Sequence, residues 1–461
     1  MMEVVRMKFN TKEELLEYTE NIKGKTFKEI DSENLLEQSN LKRRKGLLGQ
    51  VVESGFYKYP LNNDSNADFE ELGIELKVTG YVKNKNGSLR AKERMVLSKI
   101  DYNQIVNETY ESSHLLGKCK EMLIIWYHYM PKTNPEDFKI TDFQLYDMVQ
   151  DEEIFKNDFE IIKQKVIDGK AHELSEGDTS YLGACTKAAT SKDRTSQPYS
   201  KIQSKPRAYS LKNAYMTGIL KKLKETSPQI IKIKSSSPID NNISKKTVID
   251  YVTNKLKPYF GKTQLEILEE ITGKTYTEKI PKNINKMISD KLIGKDDELA
   301  EKYELFNKTS FIIKNLPINS NNKAVERMAF KTLQLSDFEE KWEDSYWKNY
   351  FEETTLIIIC YEAKNSKIRN GYRTLKFVKQ MSFTDDDLES FEKTYNMLKE
   401  AIEKEDINLL PTPSSFDGQL LEIAPKGLKG DDAYNNFFKK DKTKVAFMIG
   451  KSLLNKKLND E

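Results

Sequence analysis

Apolar positions along this chain recur with two periods. Ile74, Leu76 and Val78 alternate with Glu75 and Lys77, and this period of two predicts a strand over Gly73–Tyr81 with one apolar face. A second strand is expected over Arg94–Ile100. Met122-Leu-Ile-Ile-Trp-Tyr-His128 is apolar almost without interruption, the pattern of a strand buried on both faces. Ile154, Phe155, Phe159, Ile162 and Val166 fall at helical spacing between Glu153 and Asp168. Thr11-Lys-Glu-Glu14 reads as a capping box ahead of Leu15, Leu16 and Tyr18, so a helix starts there. Leu41–Glu53 predicts another helix, with a basic lead-in, Lys42-Arg-Arg-Lys-Gly46. Strand and helix signals mixed in this way indicate an α/β (mixed α+β) fold.

The chain has 461 residues, too many for one typical core. Lys232-Ile-Lys-Ser-Ser-Ser-Pro-Ile-Asp-Asn-Asn242 is rich in Ser, Pro and Asn and has little periodicity. It predicts a linker at 231–243 between one domain at 1–230 and another at 244–461. The second half repeats motifs of the first. Gly24-Lys-Thr-Phe-Lys-Glu29 matches Gly273-Lys-Thr-Tyr-Thr-Glu278, and Glu93-Arg-Met95 matches Glu326-Arg-Met328. Thirty residues after each of the latter glutamates begins an apolar run, Leu123-Ile-Ile-Trp-Tyr and Leu356-Ile-Ile-Ile-Cys-Tyr. A helix at Phe159 is matched by one at Phe391 through Ile402. Matches in the same order at near-equal spacing predict a duplicated domain.

Net charge is only +3, but its distribution is uneven. Between Cys185 and Lys222 lie Lys187, Lys192, Arg194, Lys201, Lys205, Arg207, Lys212, Lys221 and Lys222 against the single acid Asp193. Such a segment suits a phosphate backbone, though charge runs also occur as solvated loops. The three cysteines, Cys119, Cys185 and Cys360, are scattered, which excludes a zinc ribbon and a disulfide framework and fits a reducing cytoplasm. No apolar run approaches the ~18 residues of a membrane span, and the first residues carry no secretory h-region.

The chemistry centres on Asp68, six residues, then Glu75-x-Lys77. Strand geometry puts Glu75 and Lys77 on one face. Two carboxylates that can converge on a cation, beside an amine, are what Mg²⁺-dependent phosphodiester hydrolysis requires. The motif alone is weak, since Glu-x-Lys is a common surface charge pair. Glu53 at the end of a helix could be a third acid, and Lys118 before the buried strand a second basic group.

These segments together resemble a known family. Leu41-Lys-Arg-Arg-Lys-Gly-Leu-Leu-Gly-Gln-Val-Val-Glu53, Asp68-Phe-Glu-Glu-Leu-Gly-Ile-Glu-Leu-Lys77, Glu111-Ser-Ser-His-Leu-Leu-Gly-Lys118, Tyr181-Leu-Gly-Ala-Cys-Thr-Lys-Ala-Ala189 and Arg207-Ala-Tyr-Ser-Leu-Lys212 resemble the mismatch-repair nicking endonuclease MutH. The motif-level match covers roughly residues 10–225. An active half followed by a degenerate half resembles the two-domain type II restriction endonucleases that cut at GATC. The resemblance implies a restriction-endonuclease-like core, a mixed sheet flanked by helices, duplicated in tandem. It implies Mg²⁺-dependent double-strand cutting 5′ of the guanine. Carried over, Asp68, Glu75 and the carbonyl of Leu76 are metal ligands and Lys77 orients or helps deprotonate water. Glu53 and Lys118 are an additional acid and an additional basic group, and Lys45, Lys187, Arg207 and Lys212 fall in DNA-contacting segments. Cys185 and Thr186 replace the family's Arg-Pro pair and Ser210 its tyrosine, so base contacts do not transfer.

Aligned on the repeat, Phe311-Ile-Ile-Lys314 stands for Ile74-Glu-Leu-Lys77, and Leu305 for Asp68. Aliphatic side chains cannot hold a hard dication, so the second half is expected to bind or regulate and not to cut. A palindromic site then implies dimerisation on DNA or two successive cuts. The expected partners are double-stranded DNA containing GATC and, genetically, a cognate methyltransferase; no membrane is expected. A partner-driven nicking enzyme and a non-catalytic DNA-binding protein are the competing readings.

Overall fold

The first unit is built around the strand Glu121–His128 (β4), whose alternate side chains enter opposite layers of core. Leu123, Ile125 and Tyr127 pack with helix residues Leu15, Val51 and Val52 on one side, while Met122, Ile124 and Trp126 are buried on the other. That two-sided burial is why β4 reads as an unbroken apolar run. The computed structural model describes residues 7–37, 46–60, 66–84, 87–188, 192–225, 248–276, 280–294, 311–363, 368–413, 420–426, 431–439 and 445–459. Two units result, Met1–Ile239 and Asp240–Glu461, each with mixed sheets and helices. Among the described residues no helix is long and apolar enough to cross a membrane.

In the first unit β1 (Ile74–Lys83) runs parallel to β4, with Ile74 opposite Glu121 and Tyr81 opposite His128. β2 (Leu89–Ala91) and β5 (Lys139–Asp147) complete the sheet in the order β2-β1-β4-β5. β3 (Met95–Ile100), β9 (Arg207–Leu211) and β6 (Leu182–Thr186) form a second, antiparallel sheet in the order β3-β9-β6. β7 (Thr195–Gln197) and β8 (Ser200–Ser204) make a separate hairpin between β6 and β9.

The second unit repeats both sheets. β10 (Phe311–Ile318) runs parallel to β12 (Thr355–Glu362), which pairs antiparallel with β13 (Thr374–Met381). β11 (Met328–Thr332), β15 (Val445–Ile449) and β14 (Leu421–Pro425) are ordered β11-β15-β14, as β3-β9-β6 are. Phe311 faces Thr355 where Ile74 faces Glu121, so Lys314 takes the register position of Lys77, and Ile312 that of Glu75. Leu305 lies outside the described residues.

One part of the sequence alignment needs correction. Thr26 caps the helix Phe27–Ile30 in a capping box and bridges to Lys139, with Gly24 N–H donating to the Ile140 carbonyl. The same device recurs at Thr263, which caps Gln264–Thr272 and bridges to Thr374, with Gly261 N–H donating to the Leu375 carbonyl. The counterpart of Gly24-Lys-Thr-Phe-Lys-Glu29 is therefore Gly261-Lys-Thr-Gln-Leu-Glu266. Gly273 instead ends that helix in the left-handed conformation (φ +64°).

Other boundaries moved by little. The helix expected at Glu153–Asp168 spans Glu152–Ile167. Thr11 caps Lys12–Thr19, but the Glu14 carboxylate reaches the Asn10 N–H and not that of Thr11, so the reciprocal box is not closed. Residues 41–45 and the expected linker's core lie outside the described residues. The helix that includes Glu53 is described from Leu47 to Gln50 and continues as a π-helical turn, Val51–Phe56.

Candidate active site

The turn Phe69–Ile74 folds the chain back so that Asp68 meets the strand that follows it. Phe69 and Ile74 exchange backbone hydrogen bonds, and Gly73 supplies the left-handed residue (φ +66°) that the reversal needs. The Asp68 carboxylate then accepts the Leu76 N–H at 2.9 Å. On β1 the side chains of Glu75 and Lys77 share a face, with Lys77 Nζ 2.9 Å from Glu75 Oε1. Lys118, on the helix His114–Cys119, brings its Nζ within 3.8 Å of the same oxygen.

This face was expected to be the polar side of β1, but it is covered. Only 5% of the Glu75 side chain and 16% of Lys77 remain exposed, and the Leu97 carbonyl of β3 accepts from Lys77 at 3.4 Å. A surface charge pair would show neither feature. Glu75 Oε2 is buried without a hydrogen-bond partner. An unpaired buried carboxylate oxygen is costly, and a ligand supplying positive charge would relieve it.

The electrostatics agree. Burial, then the Glu75 charge, push Asp68 up to about 6 against the favourable Leu76 N–H. Burial, then Asp68 and Glu75, push Glu53 up to about 7. Burial opposes the charge on Lys77, but the carboxylates of Glu75 and Asp68 outweigh it, and its pKa ends above the ordinary value. Lys77 is thus an ammonium at neutral pH. The site holds acids that resist ionising together and an amine that keeps its proton, an imbalance typical of functional sites.

Asp68, Glu75, Lys77 and Lys118 come together. Glu53 senses the other acids, but among the described residues no group of three or more Asp, Glu, His or Cys side chains gathers as a metal cage. Lys45 lies outside the described residues. Lys187 is exposed and follows β6 directly. The expectation that Arg207 and Lys212 meet DNA is corrected. Arg207 is 2% exposed and donates to the Ala184 carbonyl at 2.7 Å, because β9 is the central strand of its sheet. Lys212 is 1% exposed and donates to the carbonyls of Glu176 and Thr179. Arg207 thus joins β9 to β6, and Lys212 ties the Glu176–Thr179 loop to the body of the unit. Cys119 was missed: its thiol, pushed up to about 12 chiefly by burial, is a buried neighbour of the Glu75–Lys77 pair.

The family profile described as MutH, DNA mismatch repair enzyme MutH, matches residues 57–158, a span that includes Asp68, Glu75, Lys77 and Lys118. The type II restriction enzyme Sau3AI of Staphylococcus aureus is 33% identical over 399 residues, covering 82% of this chain and 78% of that protein. The DNA mismatch repair proteins MutH of Vibrio campbellii and Vibrio parahaemolyticus are each 28% identical over 222 residues, 45% of this chain and 92% of theirs. The similarity to a restriction enzyme thus extends over both units, and the similarity to MutH covers about one unit's length.

Proposed function

This chain belongs to the family of the type II restriction enzyme Sau3AI and is a site-specific deoxyribonuclease, and on that premise we propose that it cuts both strands of DNA at GATC, 5′ of the guanine, with Mg²⁺. The observation that carries the site assignment is the buried convergence of Asp68, Glu75 and Lys77, with one Glu75 oxygen left unpartnered.

The donor set fits a divalent cation of the Mg²⁺ type, which is commonly bound by one or two carboxylates while keeping several waters. Asp68 and Glu75 would hold it, with the Leu76 carbonyl as a third oxygen; when bound, Mg²⁺ supplies positive charge to the phosphate and lowers the pKa of a bound water. The chain's own residues do the rest. Lys77 and Lys118 put two ammonium groups around Glu75 Oε1, where an anionic phosphodiester gains charge during hydrolysis. Lys77 holds its proton in the metal-free site, so it orients water and stabilises charge until cation binding offsets the carboxylates. Glu53, with its proton held to about pH 7, is the reserve acid.

The second unit is the non-catalytic copy in this reading, a DNA-binding or allosteric partner of the first. Ile312 stands at the register position of Glu75. Lys314 remains, donating to the Ala329 carbonyl at 2.6 Å, and burial followed by Lys426 lowers it to about 8. One active copy per chain means that two chains meet on a palindrome or one chain cuts twice. A chromosome containing GATC also needs a methyltransferase in the same cell. Glu75→Ala provides the test: it should bind GATC duplex with wild-type affinity in EDTA and leave plasmid intact in Mg²⁺. Wild-type cutting by that variant would refute the site.

A further inference from the structure

The β7–β8 hairpin has no role in the site above, yet its tip is unusual. Gln197 pairs with Ser200, so Pro198-Tyr199 is a two-residue turn. Proline followed by a residue at positive φ is the type II pattern, and the second position calls for Gly or Asn. Here it is tyrosine, at φ +61°. A bulky residue in the left-handed region is strained. Its ring gains nothing from burial in return, since Tyr199 is 71% exposed and Ile202 beside it 57%. Among the described residues no other large apolar side chain is as exposed as Tyr199, and only Tyr372, at 56%, matches Ile202.

The hairpin is held rigidly. Gln197 is buried, accepts from Ala171 N–H at 2.9 Å and donates to the Ile202 carbonyl at 2.6 Å. Ser204 donates to the Ala171 carbonyl at 2.8 Å, and Tyr102 to that of Lys205 at 2.7 Å. Gly169 lets the turn sit close, because a Cβ there would lie 2.7 Å from the Tyr199 carbonyl oxygen. Strain kept by a well-anchored frame around an exposed side chain points to use of that side chain.

The surroundings identify the partner. Lys192, Arg194 and Lys201 are exposed along the hairpin, and Lys187 at its base donates its N–H to the Pro206 carbonyl. The hairpin joins β6 to β9, in the sheet whose β3 supplies the Leu97 carbonyl to Lys77. A two-stranded ribbon fits the major groove, where apolar groups can meet thymine methyls and base edges while flanking cations meet phosphates. We propose that the β7–β8 hairpin enters the major groove of the duplex cut by the first unit, with Tyr199 and Ile202 as its base-contacting tip. This rests on the nuclease reading of that unit.

Tyr199→Gly separates use from architecture, because glycine suits the turn. The unfolding midpoint should rise by about 2–4 °C. Affinity for a GATC duplex in EDTA should fall at least tenfold, with an unchanged salt slope and little loss on a scrambled duplex. Ile202→Ser should weaken GATC binding in the same selective way. GATC affinity within twofold of wild type for both variants, or equal losses on both duplexes, would overturn the proposal. Wild-type protein that binds duplex but never cuts would overturn the nuclease reading instead, and the affinity comparison would still decide the hairpin's role.

Discussion

Asp68→Asn should make the metal-free protein more stable while abolishing its activity. Asp68 ionises at about 6 in the fold against 3.8 for an unperturbed carboxyl, chiefly because it is buried and then because Glu75 repels it. An acid whose folded value is raised costs nothing well below its unfolded value, under pH ~3, where both states hold the proton. The cost grows as pH climbs from the unfolded to the folded value and is complete above it. The difference converts to about 3 kcal/mol at most. Burial of the replacement amide takes back part of this, so a gain of about 1–3 kcal/mol is expected at pH 7.5 in EDTA. The amide oxygen can still accept the Leu76 N–H. Mg²⁺ narrows the gap: at ten times its Kd it stabilises wild type by about 1.4 kcal/mol and the variant hardly at all. Urea denaturation followed by hydrogen exchange in β1 and β4 peptides reads the first unit separately. A variant less stable than wild type at pH 7.5 in EDTA, or a gain that persists undiminished at pH 4, would refute the reasoning.

Other outcomes follow from the same structure. Lys212→Met should destabilise the first unit by about 2–3 kcal/mol, because the carbonyls of Glu176 and Thr179 lose a buried donor, while the salt slope of DNA binding stays as in wild type. Lys187→Ala should leave the denaturation midpoint unchanged and reduce the salt slope by about one, as expected for loss of one phosphate contact. Mg²⁺ affinity measured calorimetrically should weaken as pH falls through about 6, with proton uptake by Asp68 competing for the site. A truncation near Ser235 should lose stimulation by added GATC duplex if the second unit is an effector; unchanged response would remove that role.

The metal motif was legible because strand periodicity is local: Glu75 and Lys77 had to share a face once β1 was recognised. That the face is buried was not legible, since β3 reaches it from a different sheet. The basic segment misled for the same reason. Arg207 and Lys212 look like exposed cations in sequence, but β9 is a central strand and the loop at Glu176–Thr179 closes over Lys212. The repeat was recognisable from Glu93-Arg-Met95 and the two apolar strands. Its N-terminal register was misplaced because Gly-Lys-Thr occurs twice in the second half, at Gly261 and Gly273. The Thr263 cap, its bridge to Thr374 and the Gly261 N–H bond to the Leu375 carbonyl identify the true counterpart. The Pro198-Tyr199 turn left no sequence signal of its strain, since proline there suggests an ordinary turn.

Sequencing the ends made by purified protein on a GATC-containing plasmid in Mg²⁺ tests the central claim most directly. Double-strand ends that all begin immediately 5′ of the guanine, absent in EDTA and with Asp68→Ala, are predicted. Single-strand nicks alone, ends at other sequences, or equal cutting by Asp68→Ala would contradict it.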